Sequence, residues 1–296
     1  MLKMKKYIDI GANLTDLMYS GIYNGSKKHQ EDLSHVLKRS WDAGLSKIII
    51  TGGNVEESNK AVEVAKSDER LFCTVGCHPT RCMEFESNPD TYLNELKTIA
   101  EGNHKVVAIG ECGLDYDRIQ FCPKDIQKKY FELQLKLSKD LKLPLFLHCR
   151  NAANDLYEIL SKHQLNGGVV HSFDGTFEEA QKFIDLGYYI GLNGCSLKTK
   201  ENLETVEQLP INKIMIETDC PWCEIRPSHA GYQLIPKDSQ MVSVKKEKWR
   251  EDAMVKSRNE PANITQVLNV IAAVKKVDSQ ELADQILENT NKLFFK

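Results

Sequence analysis

Short apolar runs rich in Val, Ile and Leu recur along the 296-residue chain, with amphipathic segments between them. Eight stand out: Lys6–Ile10, Lys47–Thr51, Leu71–Cys77, Lys105–Gly110, Leu145–Cys149, Gly168–His171, Tyr188–Asn193 and Lys213–Thr218. Continuous runs of this kind are the pattern of parallel strands buried on both faces. Helical spacing fills the intervals at Glu31–Ala43, Val55–Lys66, Asp90–Ala100, Lys124–Leu141, Ala152–Lys162, Phe177–Leu186 and Glu201–Gln208. Strict strand-helix alternation predicts a parallel sheet, and eight repeats predict an α/β fold of the closed (β/α)8 TIM barrel type. An open doubly wound sheet competes, but it would carry a glycine-rich phosphate fingerprint after the first strand, where Asp9-Ile10-Gly11-Ala12-Asn13 lacks the glycines required. Leu143-Pro144 is expected to stop the fourth helix, and Gly44, Gly167-Gly168 and Gly187 to turn the chain back into strands.

No repeat, low-complexity tract or linker divides the chain, so residues 1–296 are expected to form a single barrel domain. One long irregular connection, residues 221–258, follows the eighth strand; in compact domains such connections are usually functional. It holds eight basic and five acidic residues, a local charge of +3 against −3 for the whole chain. Asn259 is expected to cap a helix with Glu260 and Pro261 in its first turn, and Ile264–Val274 and Gln280–Leu287 read as two closing helical stretches.

Composition narrows the function classes. With 41% hydrophobic and 27% charged residues the chain is not disordered, and 39 basic against 42 acidic residues give no overall attraction for nucleic acid or an anionic membrane. Such a partner has to be held by a local site. Lys3, Lys5 and Lys6 precede an apolar stretch broken by Asp9 and Asn13, so no signal-peptide core forms, and no window reaches the ~18 apolar residues needed to cross a bilayer. Nine cysteines, an odd number in a chain of this size, fit reduced thiols inside a cell and no disulfide framework.

In barrels of this type the reactive groups sit where strands give way to loops. Here those positions read Gly76-Cys77-His78-Pro79, Gly110-Glu111, His148-Cys149-Arg150, His171-Ser172 and Glu217-Thr218-Asp219. Taken singly, each His reads as a hydrogen-bonded structural residue. Together they bring imidazoles and carboxylates to one rim, the ligand set for one or two divalent cations, whose chemistry is hydrolysis.

These residues also carry a resemblance. Val107-Ala108-Ile109-Gly110-Glu111-Cys112-Gly113-Leu114-Asp115, Leu147-His148-Cys149-Arg150, Val170-His171-Ser172-Phe173, Ile216-Glu217-Thr218-Asp219-Cys220-Pro221 and Arg258-Asn259-Glu260-Pro261 occur in the order seen in the TatD family of metal-dependent deoxyribonucleases. The match covers nearly the whole chain, and Gly76-Cys77-His78-Pro79-Thr80-Arg81-Cys82 with Gly194-Cys195-Ser196-Leu197-Lys198-Thr199 resembles the family's eukaryotic branch. The resemblance implies a barrel of the metal-dependent hydrolase superfamily, magnesium-type cofactors, phosphodiester hydrolysis in DNA without a covalent intermediate, and trimming of single strands from a 3′ end. It implies Glu111, His148, His171 and Asp219 as metal ligands, with Asp219 orienting water. It also implies a DNA repair or degradation role, with the nucleus as location and the cytoplasm as the alternative. Oligomeric state stays open, with a monomer expected.

One departure bears on the metal. Many family members begin with His-x-His at the end of strand one; here Gly11 and Asn13 stand at those positions, which shifts the expected preference toward Mg²⁺, or Mn²⁺, rather than Zn²⁺. Asp9 and Asn13 are not expected to be principal ligands. His78 reads as a phosphate or leaving-oxygen contact or as a loop cap, and Arg150 as a bidentate phosphate contact or an exposed helix start. Glu217 reads as a buried partner of a ligand or a structural ion pair. Cys220-Pro221-Trp222-Cys223 has redox spacing but a poor helix start behind it. Trp222, Tyr232 and Trp249 could stack bases or tuck against the barrel. Two other readings stay open: a hydrolase of a small ester, amide or phosphoester on the same barrel, and a catalytically weakened nucleic-acid-binding barrel.

Overall fold

The computed structural model describes residues 5–295, so Lys3 of the amino-terminal stretch lies outside the described residues. All eight expected strands form: β1 (Tyr7–Ala12), β2 (Leu45–Ile50), β3 (Leu71–Val75), β4 (Val106–Asp115), β5 (Leu145–Arg150), β6 (Gly168–Val170), β7 (Tyr189–Leu192) and β8 (Ile214–Ile216). They pair in parallel in chain order as one eight-stranded sheet. Between β8 and β1 the rim is joined by hydrogen bonds from Thr218 N to Asp9 Oδ1 (3.0 Å), Asp219 N to Gly11 O (2.8 Å) and Asn13 N to Cys220 O (2.8 Å). The result is a nearly closed TIM barrel.

Helices α1 (Leu33–Asp42), α2 (Val55–Lys66), α3 (Pro89–Ala100), α4 (Lys124–Leu141), α5 (Ala153–Leu160), α6 (Phe177–Asp185), α7 (Lys200–Gln208), α8 (Ile264–Lys275) and α9 (Ser279–Phe294) pack around it. Their starts are set by side chains that satisfy otherwise unpaired amides. Asn54 accepts from Glu57 N at the head of α2, and Thr176 and Glu179 form a reciprocal capping box on α6. Helix α4 stops just before Leu143-Pro144, as expected. The cap expected at Asn259 does not form. A 3₁₀ turn, Pro261–Asn263, precedes α8, and the Asn259 amide instead donates to Thr218 O (2.9 Å) and Trp222 O (2.8 Å). Asn259 Oδ1 accepts from Glu260 N (3.0 Å) and Asn263 Nδ2 (2.9 Å), so the side chain bridges the barrel rim and the turn before α8.

Alternate residues of the strands point inward: Ile8, Ile10, Ile49, Ala108, Phe146, Val169 and Met215 form one buried cluster with Leu293 and Phe294 of α9. Phe295 extends this plug, with its ring 4.7 Å from that of Phe72. The carboxyl-terminal residues thus fill the end of the barrel where strands begin, leaving the end where strands finish for polar groups. A second and larger core lies between strands and helices. No helix among the described residues is long and apolar enough to cross a membrane.

Asp9 is fully buried in the β1–β8 seam, with Thr218 Oγ1 at 2.5 Å from Oδ2 and the amides of Thr218 and Gly11 on Oδ1. Burial pushes its carboxyl up to about 8. Because this lies above the ~3.9 of an unfolded chain, the folded protein holds a proton that the unfolded chain releases, and stability falls as pH rises from about 4 to about 8. Asp9→Asn can reproduce all three hydrogen bonds without titrating. Urea unfolding at several pH values should show a flatter profile for the variant over that window; parallel profiles would show that Asp9 ionises alike in both states.

Candidate active site

Glu111 lies within β4 and not at its end, as the apolar pattern had placed it. Pairing with β5 shifts register between Ile109 and Cys112 and then resumes as far as Asp115. The irregularity turns Glu111 toward the barrel mouth, where its amide donates to Gly52 O (2.9 Å) in the loop after β2. Three imidazoles converge on its Oε1: His148 Nδ1 and His171 Nε2 at 2.8 Å, and His78 Nε2 at 3.4 Å. His148 follows inward-pointing Phe146 by two residues on β5, and His171 follows Val169 in the same way. Period-two alternation therefore delivers both rings to the interior.

A further layer of carboxylates orients the rings. His148 Nε2 is 3.2 Å from Asp115 Oδ2, and His171 Nδ1 is 3.2 Å from Glu217 Oε1. The same Glu217 oxygen accepts from Ser172 N (2.7 Å) and Asn193 Nδ2 (3.1 Å). Its Oε2 is buried without a hydrogen-bond partner, in space that a Cβ at Gly11 would occupy, 2.6 Å away. Glycine at that position therefore leaves room for the Glu217 carboxylate. Glu217 is thus the buried partner of His171 that its strand parity predicts.

Asp219 lines the same cavity. Its Oδ1 accepts from Asn13 Nδ2 (2.9 Å) and its Oδ2 from the Cys223 thiol (3.2 Å); Asn13 Oδ1 in turn accepts from the Thr51 hydroxyl. Asn13 thus positions Asp219, while the oxygens of Asp9 are committed to Thr218 and Gly11. His78 does two things at once. Its Nδ1 accepts from Thr80 N (3.2 Å), capping the 3₁₀ segment Pro79–Ser87, while its Nε2 faces Glu111. Sequence spacing offers His78 no metal partner, yet donor atoms of His78, Glu111 and His148 lie within 4.8 Å of one another, close enough to hold one ion. The partner comes from β4 and β5, brought across by barrel closure. The Arg150 guanidinium pairs with Asp174, and its Nη2 donates to Ser172 O (3.3 Å) at the cavity wall, while Nη1 is buried without a hydrogen-bond partner.

Electrostatics match a site for a cation. Burial works against the charge on Glu111, but the facing His171 and His78 and the hydrogen bonds from His148 and His171 outweigh it and hold the carboxyl well below its usual range. Burial likewise opposes charge on His148 and His171, yet their carboxylate partners raise both. Burial lowers His78 to about 3, so it is neutral. Burial raises Asp219 to about 6. The cavity, about 850 Å³, carries Glu111, Asp115, Asp117, Asp174 and Asp219 against Arg118, Arg150 and Lys198. Carboxylates outnumber the Arg and Lys side chains of the lining, and His148 and His171, both raised, supply the remaining positive charge. The donor set suggests divalent metal use: the ring nitrogens of His148 and His171 that face Glu111, together with Glu111 itself, are the atoms that would ligate an ion.

A second cleft, about 530 Å³, shares Asn13, His78, Glu111, Arg118 and Trp222 with the first. Trp222 is 51% exposed between the two, whereas Trp249 donates to Asp32 Oδ2 (2.9 Å) and stacks on His29, and Tyr232 packs on the core. Of the three aromatic residues in the long connection, only Trp222 is placed to meet a substrate. Asp115 was legible in principle, since it has the strand parity of Glu111 four residues before it. Asn193 carries no local signal, and the Cys220-Pro221-Trp222-Cys223 spacing that marks Cys223 does not point to Asp219.

Comparison with known proteins extends the geometry. The sequence profile described as TatD related DNase matches residues 8–295. The chain is 45% identical over 304 residues to a Schizosaccharomyces pombe protein named Deoxyribonuclease Tat-D, spanning 100% of this chain and 97% of that protein. It is 35% identical over 293 residues to a Rahnella protein named 3'-5' ssDNA/RNA exonuclease TatD, spanning 97% of each. The crystal structure of a hydrolase TatD family protein from Entamoeba histolytica superposes with a TM-score of 0.93 at 38% identity, over 98% of both chains.

Proposed function

Because this chain belongs to the TatD related DNase family, we propose that it is a metal-dependent deoxyribonuclease that trims single-stranded DNA from the 3′ end, with Glu111, His148, His171 and Asp219 holding Mg²⁺ or Mn²⁺. The observation that carries this reading is the convergence of three imidazoles on one Glu111 oxygen, where two clefts meet. One or two ions bound there would add positive charge beside the phosphate and lower the pKa of a coordinated water.

The chain's own residues do the rest. Asp219 is largely ionised at neutral pH yet basic enough to take a proton from attacking water. Oδ2 is the accepting atom, because Oδ1 is committed to the Asn13 amide and a thiol is only a weak donor to Oδ2. His78 is the loosest of the three rings on Glu111 and presents Nε2 to a phosphate oxygen. Arg150, fixed by Asp174, supplies charge at the wall for a neighbouring phosphate. Asp115 and Glu217 hold the His148 and His171 rings in place. The unit proposed is a monomer, with residues 1–296 acting as one barrel. Such trimming serves DNA repair or degradation and places the protein with nuclear or cytoplasmic DNA.

The test uses 3′-labelled and 5′-labelled single-stranded DNA with Mg²⁺, Mn²⁺ or chelator. Stepwise shortening of the 5′-labelled strand, with release of single labelled nucleotides from the 3′-labelled one and arrest by chelator, is expected. Internal fragments would replace end trimming with internal cutting. Metal-dependent turnover of small phosphoesters alone would favour the small-substrate hydrolase.

A further inference from the structure

Seven of the nine cysteines are buried, but Cys195 and Cys223 are partly exposed and both line the catalytic cavity. Their Sγ atoms are 2.9 Å apart. The sequence offered Cys220 as the partner of Cys223, yet Cys220 is buried and its amide is turned back to Thr218. The partner comes instead from 28 residues upstream, through the approach of two loops. Gly194 permits that approach, since a Cβ there would stand 1.9 Å from Cys223 O. On one side the Cys195 amide is fixed by Asn193 Oδ1 (2.8 Å), and on the other the backbone before Cys223 is fixed by Asn259. The two sulfurs are thus held together by a framework independent of either thiol. A disulfide bond, about 2.05 Å long, requires the sulfurs to close by about 1 Å.

We propose that Cys195 and Cys223 form a dithiol that a hydroperoxide oxidises to a disulfide across the cavity mouth, removing the thiol donor from Asp219 Oδ2. In the first step one thiol becomes a sulfenic acid, and hydrogen peroxide, taking two electrons, leaves one water. In the second step the other sulfur displaces the sulfenic hydroxyl as a second water, and the S–S bond forms. Cavity access admits a small peroxide to this pair, and the seven buried thiols are shielded from it. Closure ties the loop after β7 to the loop after β8 and leaves Asp219 with Asn13 as its side-chain donor.

The experiment treats the full-length protein with hydrogen peroxide, counts free thiols after denaturation and maps the peptides. The expected result is a fall from nine thiols to seven, a cross-linked peptide joining Cys195 to Cys223, and reversal of both by dithiothreitol. Cys195→Ser and Cys223→Ser should each keep all their remaining thiols. Cleavage of labelled DNA by the oxidised wild type should fall about threefold relative to its own reduced state, the lower end of what one lost hydrogen bond costs when the donor is a weak thiol, with that ratio near one for each variant. An unchanged thiol count, a cross-link elsewhere, or oxidation of these sulfurs to sulfinic acid without a cross-link overturns the proposal. Undiminished cleavage by fully cross-linked protein overturns its link to Asp219. The thiol and peptide readouts hold even if the nuclease reading fails, so the two failures are distinguishable.

Discussion

Glu111→Ala is expected to reduce metal-dependent DNA cleavage by ~10³-fold or more, beyond the loss of a single transition-state donor. Glu111 is the one group on which His78, His148 and His171 all converge, so its removal takes away the shared carboxylate of the proposed ion site and the reason the rings face one point. Glu111→Gln separates charge from shape. An amide keeps the volume and one acceptor oxygen, but it neither neutralises a divalent cation nor raises His148 and His171 as the carboxylate does. Both variants should lose cleavage together with metal binding, read by calorimetric titration with Mn²⁺, while remaining folded by circular dichroism. Wild-type cleavage by the glutamine variant would show that the Glu111 charge is not what holds the ion.

The second large effect is on stability. Arg258→Ala should cost about 3 to 5 kcal/mol, the usual consequence of removing one member of a buried ion pair. The Arg258 side chain is fully buried and forms two hydrogen bonds of 2.7 Å to Asp32, one of 2.9 Å to Glu260 and one of 3.1 Å to Met18 O. Arg39 completes a balanced quartet through Glu260 (2.8 and 3.0 Å). Without Arg258 the buried Asp32 carboxylate keeps only the Trp249 indole among side-chain donors to it. Urea unfolding measures the loss, and a change below about 1 kcal/mol would mean that water or a neighbouring cation replaces the guanidinium. Activity should drop as well, because the next residue, Asn259, fastens the Thr218 and Trp222 carbonyls on either side of Asp219. The Arg-Asn-Glu-Pro motif therefore acts on the site from outside it, by clamping the loop that carries a proposed ligand.

Residues of the site were unequally legible. His148 and His171 were marked by their place at strand ends and by their motifs, and their inward direction agrees with inward-facing Phe146 and Val169 two positions before them. Glu111 was identified by its motif, but its place within β4 was not, since a register shift leaves no mark in hydrophobicity. The long connection read as basic and aromatic, and the structure divided its aromatics by burial: Trp249 went to the Asp32 network and Trp222 to the cavity.

By itself, the sequence determined the eight strands, the order in which they follow one another, and the end of the barrel at which chemistry gathers. Those properties follow from local periodicity and from the fact that parallel strands buried on both faces must be apolar throughout. Long-range packing settles that His78 shares an oxygen with His148 and His171, that Gly11 makes room for Glu217, that Cys223 meets Cys195, and that Arg258 answers Asp32. Each of those pairings joins residues far apart in the chain, and closure of the barrel, which no short stretch encodes, sets the distances between them.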